Sequence, residues 1–414
     1  MPSSLLELYK NARVHGFSWV LERSAARAGA FLLFPVRLLK RARAIRAAAA
    51  ASRRPRRERE VVFLCDRLHV RAVKIAFALK GIGWRVTLLH KEPLSFDVSE
   101  YFAEVRRFDD LWEALAIASE YSPVAYHVFA LWNFELAVTL IRHKPGKIVF
   151  DYYDVLTGMV KSDLIARYAG QSELEQYCYR NADGLCCRDL RVQHLKRELG
   201  FSLPPRILFP EYCWPPEKFK RSKKLGDGVH VVYVGSIEPN PDSPVAYHYE
   251  LAALLSRSRI HYHIYPSYEH IGEELKSRME KFVTSPADGA YVHIHETISP
   301  LRMREELSKY HYGVLISGKK VEYGDDHDTY FPHQADYLLT SKVFDYLDAG
   351  LVTLTQDARM TRCLLERCNA GIVVRSLEEI ARRAGGAPPP EAKVARSLFI
   401  EANADRLAAF YQAL

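Results

Sequence analysis

Thr340, Ser341, Lys342 and Asp345 stand within the segment TSKVFDYLDAGLVTL, and their types and spacing are those of a seat for a diphosphate. A helix begun at Thr340 leaves its first N–H groups without intrahelical partners, so they point at any anion placed there. Lys342 adds a full positive charge, and the two hydroxyls add donors. Asp345, three residues on, shares a side of the helix with Lys342 and reaches toward a neighbouring sugar hydroxyl. Gly350 ends the helix and LVTL follows as an apolar strand. An N-capped surface helix would use the same hydroxyls. Position at a strand mouth favours the ligand reading, because open parallel sheets bind ligands beyond the carboxyl ends of their strands.

The same rule applied to the other strands gives a shortlist. VVFLC is followed by Asp66, Arg67 and His69, and KIVF by Asp151, Tyr152, Tyr153 and Asp154. PVAYHVFA carries His127 near its end. VVYV is followed by Gly235, Ser236 and Glu238, and YGVLIS by Gly318, Lys319, Lys320 and Glu322. Acids and histidines thus gather at one mouth, glycines, lysines and hydroxyls at the other. This division suits a half that activates an acceptor and a half that holds phosphates. Asp154, His69, Asp66 and Asp151 compete as general base, the histidine having the most suitable unperturbed pKa.

The elements that position these residues alternate strand and helix twice. Continuous apolar runs such as VVFLC mark strands buried on both faces. One array spans residues 60–210, the Pro/Lys/Gly-rich 211–228 reads as a linker, and a second array spans 229–385. Residues 386–414 supply a break at GGAPPPE and a closing helix over about 391–413. Two arrays of this size predict two facing doubly wound α/β domains. The HxH pairs His261/His263 and His293/His295 fall inside strands and read as buried, hydrogen-bonded side chains. No metal cofactor is expected.

The chain has 414 residues and a net charge of +8, but residues 1–60 hold 14 Lys/Arg against 4 Asp/Glu, leaving 44 against 46 elsewhere. The body is therefore near neutral and offers no aromatic-basic platform, which argues against nucleic acid as a partner. Residues 1–59 mix Trp19, Phe31–Phe34, Leu38 and Leu39 with Arg37, Lys40, Arg41, Arg43 and Arg46. That mixture predicts an amphipathic appendage on an anionic membrane surface, with packing on the body as the alternative. Seven cysteines without a CxxC pair fit a reducing compartment, and a peripheral position on the cytoplasmic face is expected.

YVGSIEP, LLTSKVFDYLDAGLVTL and RSLFIEANADRLAAFYQAL resemble the carboxyl-terminal domain of GT-B glycosyltransferases, the large family-four or group-one type that builds bacterial surface glycans. SELEQYCYRNADGLCCRD and KIVFDYYD resemble units of that family's first domain. The resemblance covers about residues 61–414. It implies a GT-B fold and transfer of a sugar from a UDP- or GDP-linked donor to a glycan or lipid-linked acceptor. Asp345 falls where the family keeps a ribose-binding Glu, and Gly235 on its phosphate turn. Ser236 and Ile237 stand where the family often has an Arg, Tyr337 stands for the first acid of its Glu pair, and Tyr153 for the histidine of its His-Asp pair. Lys342, Lys319 and Lys320 are the cations left for the diphosphate. A nucleotide-sugar epimerase of the same fold and a non-catalytic GT-B partner subunit are the rival readings.

Overall fold

VVFLC forms the innermost part of the first sheet, where Val61 to Cys65 are wholly excluded from solvent. Runs this apolar stay buried only when helices cover both faces, and that is the arrangement seen. The computed structural model describes residues 34–158, 170–237, 246–266, 290–316, 334–386 and 390–414. In the first unit α1 (Phe34–Ala51) precedes β1 (Arg57–Cys65), α2 (Val70–Gly81), β2 (Arg85–His90), β3 (Glu104–Arg107), α3 (Leu111–Ala118) and β4 (Pro123–Ala130). It continues with α4 (Glu135–His143), β5 (Ile148–Tyr152), α5 (Gln171–Asn181), β6 (Gly184–Cys187), α6 (Arg191–Leu199) and β7 (Arg206–Leu208). Its strand order is β3-β2-β1-β4-β5-β6-β7, with parallel pairing throughout.

The second unit runs β8 (His230–Gly235), α7 (Tyr247–Arg257), β9 (His261–Pro266), β10 (Val292–Ile294), α8 (Met303–Leu307), β11 (Tyr312–Leu315) and α9 (Ser341–Ala349). β12 (Val352–Thr355), α10 (Arg359–Arg367), β13 (Gly371–Val373) and α11 (Leu377–Ala384) complete it. The order β10-β9-β8-β11-β12-β13 repeats the first six positions of the first sheet, again all parallel. In each sheet the order reverses beside its first strand, which puts a crevice at the carboxyl ends of β1/β4 and of β8/β11.

The segment after β7 enters the second unit at once: Trp214 N–H donates to Asp348, and Cys213 pairs with Phe399 in an isolated parallel bridge. After two short 3-10 turns, α12 (Ala404–Gln412) returns to the first unit. Leu407, Ala408 and Tyr411 pack there against Ile75, Leu79 and Trp84. The closing helix is thus shorter than the 391–413 expected, because residues 395–400 turn and pair with the crossing strand.

α1 corrects part of the view of residues 1–59. Ala44, Ala48 and Ala51 are buried on the body, Lys40 Nζ lies 2.7 Å from Asp110, and Arg41 covers the Trp112 ring at 4.8 Å. Small residues at that spacing let the helix approach α3 closely. Val36, Leu38 and Leu39 remain exposed, 61%, 48% and 52%. Residues 1–33 lie outside the described residues, as do 159–169 and 267–289, where the strand–helix alternation predicts helices over 159–168 and 269–282. No helix among the described residues is long and apolar enough to cross a membrane.

Candidate functional site

α9 starts at Ser341, with Thr340 as its extended N-cap residue, and the Thr340 side chain makes no capping hydrogen bond. The hydroxyl is therefore not consumed in the way the plain capping reading requires. Lys342 folds back over the end of β8. A Cβ on Gly235 would lie 3.1 Å from Lys342 Nζ and closer still to its Cε, and Gly235 has φ +139°. Glycine is needed there on both counts, for the backbone conformation and for the lysine that crosses it. Tyr233 lies under the ammonium at 5.6 Å and donates from its hydroxyl to the Ser236 carbonyl at 2.6 Å. Gly235, Ser236, Thr340, Ser341 and Lys342 are thus brought to one place. Lys319 and Lys320 lie outside the described residues, as does the acidic GDDHD run, Gly324 to Asp328, in the same segment.

The first unit faces this point directly. Tyr153, just after β5, meets Ser341 across the crevice, hydroxyl to hydroxyl, at 3.0 Å. Arg188 follows β6 and stacks its guanidinium on the Tyr153 ring at 4.4 Å. It is only 2% exposed, and its Nε and Nη1 have no hydrogen-bond partner. Asp154 lies 3.7 Å from Arg188 Nη2 and 3.5 Å from Arg191 Nη1, and accepts from Trp132 Nε1 at 3.2 Å. His69 packs on the other side of Tyr153, ring centroids 4.0 Å apart, and its Nδ1 accepts from the Arg71 N–H at the start of α2. Burial lowers the His69 pKa to about 4; Glu211 opposes this and the Arg188, Arg71 and Lys74 charges reinforce it. The ring is neutral at pH 7.

Glu211, the first residue of the crossing segment, is 1% exposed and neither carboxylate oxygen has a hydrogen bond. It sits 4.0 Å from His69 Nδ1 and from Arg71 Nη1, too far for a hydrogen bond to either, and Nη1 has no hydrogen-bond partner. An orphaned buried polar atom costs about 1–3 kcal/mol, more when charged. Five such atoms, on Arg71, Arg188 and Glu211, fall along one crevice. A ligand or solvent that hydrogen-bonds there recovers that cost.

Two expected site residues, Asp151 and Asp66, are placed differently, and a third, Asp345, lies deeper than expected. Asp151 is 1% exposed and receives Arg71 Nε at 3.0 and 2.9 Å and His127 Nε2 at 3.1 Å. Burial pushes its pKa up, but Arg71 and His127 outweigh burial and hold it below the ordinary carboxylate range. It is a structural anchor with no access to an acceptor, because its position on β5 points inward. Asp66 stands apart, with Lys91, Glu92 and Glu135 as its charged neighbours; burial raises its pKa, and its Oδ1 has no partner. Asp345 turns toward Lys74 of α2, 4.0 Å away, and burial raises it to about 7 despite Lys74, with Glu211 adding to the rise. Lys74 also reaches Asp348 at 3.8 Å and donates to the Tyr212 carbonyl at 3.0 Å, tying the units together.

Arg188 and Glu211 carry no motif of their own and escape a sequence reading. The available signal was location: Arg188 follows directly on β6, and Glu211 comes three residues after β7.

No protein-family model matches the chain, and no curated protein matches it. Solved structures do. Sucrose-phosphate synthase from Thermosynechococcus elongatus superposes with a TM-score of 0.56 at 13% identity, covering 86% of this chain and 99% of that one. Anabaena HepE, in complex with UDP and glucose, gives 0.55 at 11% identity over 85% and 95%. A Listeria monocytogenes structure of the UDP-N-acetylglucosamine 2-epimerase type gives 0.54 at 12% over 85% and 95%. These likenesses define the class at the level of the fold: the chain has the GT-B fold, two parallel α/β units facing one another.

Proposed function

We propose that this chain transfers a sugar from a UDP- or GDP-linked donor to a glycan or lipid-linked acceptor at an anionic membrane surface, on the cytoplasmic side. The observation that carries the reading is the meeting of Arg188, Lys342 and the uncapped start of α9 over the Gly235 turn. Two cations, a Thr340 hydroxyl that makes no capping bond and the start of a helix suit the charge of the two phosphates of a nucleotide diphosphate. Fixed cations stabilise the departing nucleotide where charge develops, so no metal cofactor is needed at this site. Arg188 supplies from the first unit the charge that Ser236 and Ile237 do not. Lys319 is assigned to the same seat on its sequence position alone.

Asp345 and Glu211 stand deeper in the crevice, where one of them accepts from the donor ribose. Asp154 and His69 line its first-unit wall and compete to take the acceptor's proton; Asp66 stands further off. The bound UDP and glucose of HepE support the donor class. The exposed Val36, Leu38 and Leu39, flanked by exposed Arg37, Arg41 and Arg43, support the membrane surface.

Calorimetric titration with UDP and GDP, followed by a hydrolysis screen of nucleotide sugars, tests the proposal. Saturable binding of one nucleotide and release of that nucleotide from its sugar are expected. Binding of neither overturns it in favour of a non-catalytic partner, and isomerised sugar without transfer points to an epimerase. Sedimentation with anionic vesicles tests the surface: deletion of residues 1–52 should abolish binding, and unchanged binding would sink that part.

A further inference from the structure

The opposite end of the second sheet carries a concentration of imidazoles that the crevice does not use. His230 opens β8 and is paired in register with His261, which opens β9. His263 is paired with His293 of β10, and His295 follows that strand. Alternation puts these rings on one face. His230 Nδ1 bonds His263 Nε2, His263 Nδ1 bonds His295 Nε2, and His261 Nδ1 bonds His293 Nε2, each at 2.9 Å. At the rim, His230 Nε2 meets Asp227 Oδ1 at 2.9 Å, and the Asp227 side chain is 71% exposed. The Cδ2–Nε2 edge of His261 faces Gly228, where a Cβ would stand 3.4 Å from Cδ2 and 3.7 Å from Nε2.

We propose that Asp227, His230 and His261 bind a divalent transition-metal ion, zinc foremost, at the amino-terminal edge of the second sheet. One ligand atom from each lies within 4.8 Å of the others. Two imidazoles and a carboxylate select zinc-like ions over magnesium and calcium, which prefer all-oxygen shells. Three protein ligands leave a fourth position for water.

What lies behind the ligands favours a metal over a chance cluster. Metal-bound histidines keep their tautomer by donating from the second nitrogen to a fixed acceptor. Both ligands here have one, His263 for His230 and His293 for His261. On coordination the His230 Nε2 lone pair goes to the metal, its proton resides on Nδ1 and is donated to His263 Nε2. His263 then donates from Nδ1 to His295. The His230 and His261 rings stack at 4.5 Å with planes 11° apart, so their lone pairs run side by side. Tetrahedral zinc needs ligand atoms about 3.3 Å apart at bond lengths near 2.0–2.1 Å. A tilt of His261 supplies the convergence, and the bare Cα of Gly228 leaves room for it.

The inference is independent of the crevice and of the transfer reaction. Chelator-stripped full-length protein is titrated with zinc against a chromophoric competitor, alongside His261→Gln, Asp227→Asn, His293→Gln and, as a control in the first sheet, His90→Gln. One equivalent of zinc should resist the competitor in the parent and in His90→Gln. His261→Gln and Asp227→Asn should weaken binding at least about tenfold, and His293→Gln about tenfold through the outer shell. Zinc should raise the thermal midpoint of the parent but not of Asp227→Asn, an exposed position whose change leaves the fold intact. Failure of the parent to hold one equivalent overturns the proposal. So does equal retention by Asp227→Asn and His261→Gln.

Discussion

Arg188 is the residue on which the crevice turns. Its unpartnered Nε and Nη1 lie against Tyr153, beside the Asp154 carboxylate and facing the half that holds Lys342. Charged hydrogen bonds contribute about 1.5–3 kcal/mol each. Arg188→Met and Lys342→Ala should each weaken UDP or GDP binding by about 10- to 100-fold in calorimetry, with the thermal midpoint little changed. Undiminished affinity in both would remove the diphosphate from this location. Gly235→Ala is expected to abolish binding and cost of order 1–3 kcal/mol in denaturant titration, since its φ of +139° resists any side chain and Lys342 already fills the space. Lys342 and Gly235 were legible in the sequence because each belongs to a local pattern, a helix start or a strand-end glycine. Arg188 and Glu211 were not, because their meaning arises only when segments more than a hundred residues apart are brought together.

Among the elements, α5 has a function beyond covering the sheet. Its Glu175 is fully buried and accepts from Leu156 N–H at 2.9 Å and Tyr179 O–H at 2.8 Å, which pins the turn following Asp154. Burial raises Glu175 to about 7 although the Thr157, Tyr179 and Leu156 hydrogen bonds oppose it. A carboxyl whose folded pKa exceeds its unfolded value contributes stability that is complete below the unfolded pKa and lost as pH rises through the folded one. Between pH 4.5 and about 7 the parent should therefore lose stability relative to Glu175→Gln, by up to about 3 kcal/mol. Parallel unfolding curves for the two at pH 5 and pH 8 would refute this. Helix α9 was recognisable to the residue, bounded by Thr340 and Gly350. β3 was missed because Glu104–Arg107 is a short edge strand with three charged residues in four, whose place is set by pairing with β2 and not by apolar pattern.

At the scale of the molecule, two sheets of matching strand order were foreseeable from the repeated alternation, but the return of α12 to the first unit was not. An amphipathic terminal helix looks the same whichever surface it covers. Tyr411 is wholly buried and its hydroxyl meets His127 Nδ1 at 2.5 Å, behind the Arg71–Asp151 pair. Tyr411→Ala should cost about 3–5 kcal/mol in denaturant titration, as deletion of a large buried aromatic does. A loss well below 1 kcal/mol would mean that the helix is dispensable to the first unit.

Because the chain passes from one lobe to the other at Cys213 and comes back at Phe399, and these two crossings are bridged side by side, the lobes share a pair of adjacent pivots. Two pivots that close favour a swing about the line they define. Small-angle scattering with and without UDP should accordingly register a change in the radius of gyration.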